Sequence, residues 1–421
     1  MNLQIKKIVS TSKSLSIYFS ASLIPMMLSL LINPLVSLNM SPDDFAISGF
    51  YTAFNTLFTP FVTFYFTHYY TKRYFELEEN QRQILKSTIF KSLISFSFFL
   101  SVIALLGLFL YMNFFNNSTD ITFFPFAVIS IFSIPFIGIY NLNLIEYRMQ
   151  RKSVQFFKLS VTNGTLLTII TLLLVVLLKL GALGKLMSVF SASLIMFSFC
   201  FYLNKSLLKY SFNWNYFKGA VLFCFPLVLA AMLSFFTLGF DKVYLERIVD
   251  NASLGYYVVG ASIAGYINIF TNSINDTFQP DIFQSIAKHN YLKCCKIVIV
   301  KLILILFIVS LFILLAPILI KLLTANKYID STIYARIISL SCISGILFQS
   351  ISQITIAKGF TTLTLTNKII GSVGCVICYI FLISQYGTIG AAWACVLSYL
   401  IFFIGNVILL LIKYSRQVHH G

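Results

Sequence analysis

The sequence predicts an all-α integral membrane protein with about twelve transmembrane helices in two six-helix lobes and both termini in the cytoplasm. Three observations predict it. The 421 residues are 58% hydrophobic and only 10% charged, with 44 Phe and 23 Tyr, more apolar surface than a soluble domain can cover. Apolar runs of about 20 residues, the length that crosses a bilayer, recur along the chain. Lys and Arg alternate between loops in the way that marks cytoplasmic segments. The formal net charge of +17 would suggest a nucleic-acid partner in a soluble protein. Here the inner loops account for it, and no nucleic acid is expected.

The spans follow in order. The run 15–38 comes after Lys6, Lys7 and Lys13, a start that looks like a secretory signal, but the run is too long and too many others follow. Next come 45–68, after an acidic loop, then 89–112 and 121–145. Spans 158–179 and 183–203 are separated by a gap short enough for a tight hairpin, as are 366–385 and 388–412. Between those pairs lie 217–240, 255–277, 297–320 and 333–357. Starting inside and alternating, Lys179, Lys185, Lys242, Arg247, Lys321, Lys327 and Arg336 fall outside, while the rest of the 30 Lys and Arg fall inside. An odd number of spans would destroy that bias. No loop is long enough for a folded domain, so any function belongs to the helix bundle.

Eight cysteines are present, none in a segment placed outside, so disulfides are not expected. Cys375-Val-Ile-Cys378 has redox or metal spacing but lies inside an apolar run without nearby ligands, which reads as buried thiols. No metal or cofactor site is expected.

Twelve spans divide into six and six, giving lobes 1–210 and 211–421. Leu23-Ile24-Pro25-Met26 in the first span answers Cys224-Phe225-Pro226-Leu227 in the seventh. An acidic loop follows each, Ser41-Pro42-Asp43-Asp44-Phe45 and Asp250-Asn251-Ala252-Ser253-Leu254. Then Gly49-Phe50-Tyr51 answers Gly255-Tyr256-Tyr257. Because six is even, this is a parallel repeat about an axis along the membrane normal, a layout of transporters that rock two lobes about a central site.

The stretch 238–260 is unusual. Asp241, Lys242, Glu246, Arg247 and Asp250 crowd between long apolar runs, with Tyr244, Leu245, Ile248 and Val249 interleaved. It reads either as a seal or latch at the outer surface or as an interfacial helix end with local ion pairs of little worth.

Asp241-Lys242, Leu245 and Gly255-Tyr256-Tyr257 together resemble the end of helix seven and start of helix eight in polysaccharide-unit flippases, the Wzx-type members of the multidrug/oligosaccharidyl-lipid/polysaccharide (MOP) exporter superfamily. The first acidic loop, the basic segment Glu146–Lys152 and the small-residue run Gly387–Ala394 resemble that family too, although Ala46 stands where its first outer loop usually has Gly. The resemblance covers nearly the whole chain. It implies alternating access that carries a polyprenyl-diphosphate-linked oligosaccharide, an O-antigen or capsule repeat unit, from the inner to the outer leaflet of a bacterial plasma (inner) membrane. Membrane lipids and other polysaccharide-assembly membrane proteins are the further partners it implies, with no covalent chemistry. The physics agrees: a diphosphate and sugars cannot cross hydrocarbon unaided, because buried charges and unpaired polar groups cost several kcal/mol each.

Ionisable and amide groups inside spans are the path candidates. His68 and Arg73 offer a basic, aromatic face near the inner entrance, or a simple positive anchor. Arg336 stands out because topology gives no reason for a cation there; Lys301 lies near an inner helix start. Asn268, Asn272 and Asn275 share a face at spacings of four and three, and Asp276 could pair with a cation of the cavity; hydrogen bonding between helices explains the same run. Gln349, Gln353 and Lys358 mark the inner half of helix ten. Asp241 and Lys242 complete the set. Pro25, Pro34, Pro60, Pro135, Pro226 and Pro317 either allow bending or set fixed kinks.

Three other readings compete, one of them a scaffold that recruits the pathway's other members, which leaves the two-lobed arrangement unexplained. A drug exporter of the same superfamily would be expected to carry clearer buried acids than these 13 Asp and Glu supply. A membrane-embedded polysaccharide polymerase or ligase would be expected to carry a large basic outer loop, which is missing. His68 has no carboxylate beside it, and no Gly-rich nucleotide loop is present; the chain is not expected to be an enzyme.

Overall fold

The computed structural model describes residues 2–115, 121–358 and 360–419, and these are helical with no strand among them. Nine elements are long and apolar enough to cross a membrane among the described residues, the last being a 52-residue segment, Thr362–Lys413. Gly387, at φ 57° and ψ −132°, breaks that segment in two. The other hairpin gap is also seen, as Lys179 and Gly181 both take positive φ.

Two compact units form. The first comprises Met1–Met40 and Leu57–Met232, the second Ser41–Thr56 and Leu233–Gly421. In the first unit, α1 (Asn2–Asn39) packs along α6 (Ser153–Thr171), and α5 (Phe126–Met149) packs on α4 (Glu79–Phe115) and α7 (Gly181–Asn204). Its core gathers Phe66, Leu85, Ile89, Phe90 and Cys200. The chain enters this unit partway along α2 (Pro42–Thr63).

The expected span 45–68 is not one helix. α2 ends at Thr63, Phe64 and Tyr65 both adopt φ 48°, and α3 (Phe66–Arg73) restarts beyond them. Left-handed backbone costs a non-glycine residue about 1–2 kcal/mol. Packing offsets it: Phe64 and Phe66 are buried and both meet the Phe96 ring. The Tyr65 carbonyl accepts from the His68 N–H at 2.8 Å and also from the Cys224 thiol, on α8 (Trp214–Met232), at 3.3 Å.

A helix break and two kinks mark the second unit. After α9 (Phe235–Leu238), Gly239 interrupts the chain before α10 (Phe240–Leu245). α11 (Asn251–Gly265) yields to α12 (Ile267–Ala287) at Tyr266, and α14 (Thr332–Ser339) to α15 (Ser341–Ala357) at Leu340. The long α13 (Tyr291–Leu323) packs on α12, α14 and α15, and α15 packs on α16 (Thr361–His419). Sequence patterning places single spans over 217–240, 255–277 and 333–357. Trp214–Leu238, Asn251–Ala287 and Ile329–Ala357 each run as one span. The last two carry a one-residue kink where φ and ψ stay helical, and the first ends at Gly239, φ −141° and ψ −24°.

The two acidic loops do the same local work. Ser41 caps α2: its hydroxyl accepts from the Asp44 N–H at 3.1 Å, while its own N–H donates to Asp44 Oδ2 at 2.8 Å. That reciprocal pairing, with Pro42 at the first helical position, satisfies free helix donors. Asp250 caps α11, accepting from the Ser253 N–H at 3.0 Å and its hydroxyl at 2.7 Å. Those two bonds hold the Asp250 carboxyl below the usual carboxylate range.

The start of α2 and the start of α11 cross at Gly255. A Cβ there would lie 2.0 Å from the Pro42 carbonyl oxygen, and backbone cannot swing aside as a side chain can. Gly255→Ala is expected to destabilise by about 1–3 kcal/mol, the usual cost of overpacking, read as a lower melting temperature in detergent. An unchanged melt would show that the crossing is looser than this.

Candidate functional site

The charged stretch folds inward at one residue. Asp241, one residue into α10, is only 5% exposed. Its Oδ2 accepts from the Tyr257 hydroxyl, on α11, at 2.6 Å. The Lys242 ammonium donates to Oδ2 at 3.1 Å and to Oδ1 at 3.2 Å. A buried carboxylate needs partners of this kind, since desolvation otherwise forbids its charge. Asp250, nine residues on, is exposed and serves only as the cap.

Asp241 and Lys242 line a pocket of about 140 Å³. Its wall is drawn from one break and two kinks in the helices of the second unit: Leu238 and Asp241 flank Gly239, Gly265 and Asn268 flank the kink at Tyr266, and Ile338 and Ser341 flank the kink at Leu340. Gly239 leaves helical φ and ψ, whereas Tyr266 and Leu340 only kink their helices and keep their backbone bonds. Irregular backbone of the first kind is tolerated in a bilayer only where protein encloses it or it lines a cavity. Cys395 and Tyr399 of α16 close the wall. A second recess of about 130 Å³ shares Thr237, Leu238 and Tyr399 with it and is lined by Lys368 and Ser372. The two recesses together carry one carboxylate and two ammonium groups.

A further polar cluster lies on α12, α13 and α15. Lys301 is 0% exposed. Its ammonium donates to Asn275 Oδ1 at 2.6 Å and to Gln353 Oε1 at 3.2 Å. No carboxylate lies within ion-pair reach of it among the described residues. Two amide oxygens therefore hold a charge that a bilayer interior disfavours.

The remaining candidates separate. Asn268 lines the pocket, where the Cys342 thiol donates to it at 3.6 Å. Asn272 and Asp276 are exposed, so the shared face of the three asparagines is split between pocket, surface and the Lys301 cluster. Gln349 is half-buried, and Lys358 lies over the Tyr291 ring at 4.9 Å. In the first unit His68 is exposed and packs on Tyr65, with ring centroids 4.6 Å apart, while Arg73 pairs with Glu76 at 2.5 Å.

Arg336 has a structural partner. Pro317 has no N–H to offer four residues back, which frees the Ile313 carbonyl, and Arg336 Nε donates to that oxygen at 3.1 Å. Arg336→Met is expected to cost about 0.6–1.7 kcal/mol, the range of hydrogen bonds between membrane helices, seen as a modest fall in melting temperature. A larger loss would give Arg336 a further partner.

Sequence reasoning missed Lys368, which counted as a loop cation although it lies at the start of an apolar run before Ile369 and Ile370. It also missed the first unit's buried ion pair between Lys86 on α4 and Glu146 on α5, both 7% exposed. No local signal marks that pair, since its members are far apart in sequence.

Set beside solved structures, the chain has the fold of MOP-superfamily transporters. It aligns with a lipid II flippase, MurJ, in an inward closed conformation, at a TM-score of 0.74 and 17% identity over 93% of this chain and 86% of that one. An inward-facing multidrug resistance MATE family transporter of the MOP superfamily gives 0.70 and 12% over 94% and 99%. A MOP superfamily transporter from Pyrococcus furiosus gives 0.59 and 11% over 96% and 95%. No curated protein matches the sequence. A family model described as polysaccharide biosynthesis protein matches residues 12–285, and the chain belongs to that family.

Proposed function

We propose that this protein is a flippase that moves a polyprenyl-diphosphate-linked oligosaccharide, an O-antigen or capsule repeat unit, between the leaflets of a bacterial inner membrane. The observation that carries the reading is the polar pocket at one helix break and two helix kinks, with Asp241, Lys242 and Asn268 in its wall and Lys368 in the adjoining recess. Bent and broken helices around a charged pocket are akin to the discontinuous helices from which secondary transporters build a site inside the bilayer. The balance of charge there is positive, which suits a diphosphate better than a drug cation. Membership of the polysaccharide biosynthesis family and the likeness to a lipid II flippase support the same direction.

The full arrangement is twelve spans, two lobes related by a parallel repeat, 1–210 and 211–421, and both termini in the cytoplasm. Transport runs from the inner to the outer leaflet by alternating access. The lipid tail stays in hydrocarbon while the head group exchanges its water for pocket donors, and no bond is made or broken. Other polysaccharide-assembly membrane proteins supply and receive the lipid-linked unit.

The test reconstitutes purified protein in liposomes holding a labelled polyprenyl-diphosphate oligosaccharide, adds a membrane-impermeant glycosidase outside, and follows the protected fraction. Faster loss of protection than in protein-free liposomes supports the reading. Unchanged protection, with and without an imposed ion gradient, overturns it.

A further inference from the structure

The first unit carries a groove that translocation, as read above, does not use. It lies between α6 and α7, encloses about 460 Å³, and is walled by Leu159, Leu166, Ile195, Met196 and Phe199. Ile195 and Phe199 remain 46% and 50% exposed along it. Across Met196 it adjoins a recess of about 190 Å³ that includes Tyr140 and Leu167. From Gln155 to Leu167 the α6 wall rises about 18 Å at the helical rise per residue, enough for much of an acyl chain.

One end of the groove differs in chemistry. Tyr147, Gln155 and Lys158 line it there, next to the α5–α6 turn with its exposed Arg148, Arg151 and Lys152. Arg148 is held in place over the Phe156 ring, 5.3 Å from its centroid. The nearest carboxylate in sequence, Glu146, is already engaged by Lys86. A cationic mouth on a long apolar trough complements a lipid with a negative head group. A zwitterionic lipid brings no net charge to the mouth, and inorganic phosphate leaves the trough uncovered. Basic pockets between membrane helices recognise anionic lipid head groups by this chemistry.

We infer that the groove between α6 and α7 holds an anionic glycerophospholipid, its phosphate against Lys158 and one acyl chain along α6. The lipid is a resident of the first unit, separate from the transported molecule.

The full-length protein, delipidated in detergent, is offered equimolar phosphatidylglycerol and phosphatidylcholine, and retained lipid is counted by native mass spectrometry. Wild type is expected to retain phosphatidylglycerol preferentially. Lys158→Gln is expected to lose that preference. Thr162→Trp, which places an indole in the groove from an exposed position, is expected to lose the retained lipid. Equal retention of both lipids by wild type, or wild-type retention by both variants, overturns the inference. A further arm pits phosphatidylglycerol against polyprenyl phosphate; preference for the latter also overturns it and assigns the groove to the substrate's chain. Because this readout is lipid retention, its failure is distinguishable from a failure of translocation.

Discussion

Asp241→Ala is expected to abolish translocation in the liposome assay while the protein still inserts into the membrane. Two changes follow from that one substitution. Tyr257, fully buried, loses the acceptor of its 2.6 Å hydrogen bond, and Lys242 loses its counter-ion. Removing one member of a buried pair costs about 3–5 kcal/mol, because the other charge is left uncompensated. Two companions separate folding from function. Asp241→Asn keeps an oxygen for Tyr257 but no charge for Lys242; it should melt closer to wild type and still fail to transport. Asp241→Ala combined with Lys242→Ala removes both charges, recovering much of the stability without recovering transport. Wild-type translocation by Asp241→Ala at equal protein level would remove this pocket from the mechanism.

In the first unit the largest expected effect is on stability. Glu146→Ala strands the Lys86 ammonium, which is 7% exposed, and also removes the acceptor of Gln150, whose amide donates to Glu146 Oε1 at 3.0 Å. The expected loss is about 3–5 kcal/mol, measured as an earlier unfolding transition by circular dichroism in detergent. Replacing both partners, Lys86→Met with Glu146→Leu, should restore most of it, since well-packed apolar residues replace such pairs at little cost. Added salt should leave the wild-type transition in place, because screening reaches buried pairs poorly. A Glu146→Ala melt that coincides with wild type would mean that water reaches the pair.

What was legible in the sequence was whatever local chemistry dictates. Apolar runs mark helices because each must match a bilayer, and Ser41 and Asp250 mark helix starts because a side-chain oxygen must answer free N–H groups. Asp241 and Lys242 stood out because charges inside apolar runs need a reason. What was not legible depends on residues distant in sequence. Lys301 meets Asn275 from one helix and Gln353 from another, and nothing along the chain links those positions. The interruption at Phe64 and Tyr65 falls past Pro60, not at it, because aromatic packing decides where the backbone gives way. Arg336 looked like a charge without a cause until the carbonyl freed by Pro317 supplied one.

A second proline has a similar attendant. Pro25 in α1 offers no N–H to the Ala21 carbonyl, and the Ser160 hydroxyl on α6 donates to that oxygen at 2.8 Å. The hydroxyl acts as a rivet at one of the two prolines of the rod. A hinge at Pro25 has to break that bond first, so this stretch of α1 is tied to α6, and whatever leans on α6 there is felt at the proline.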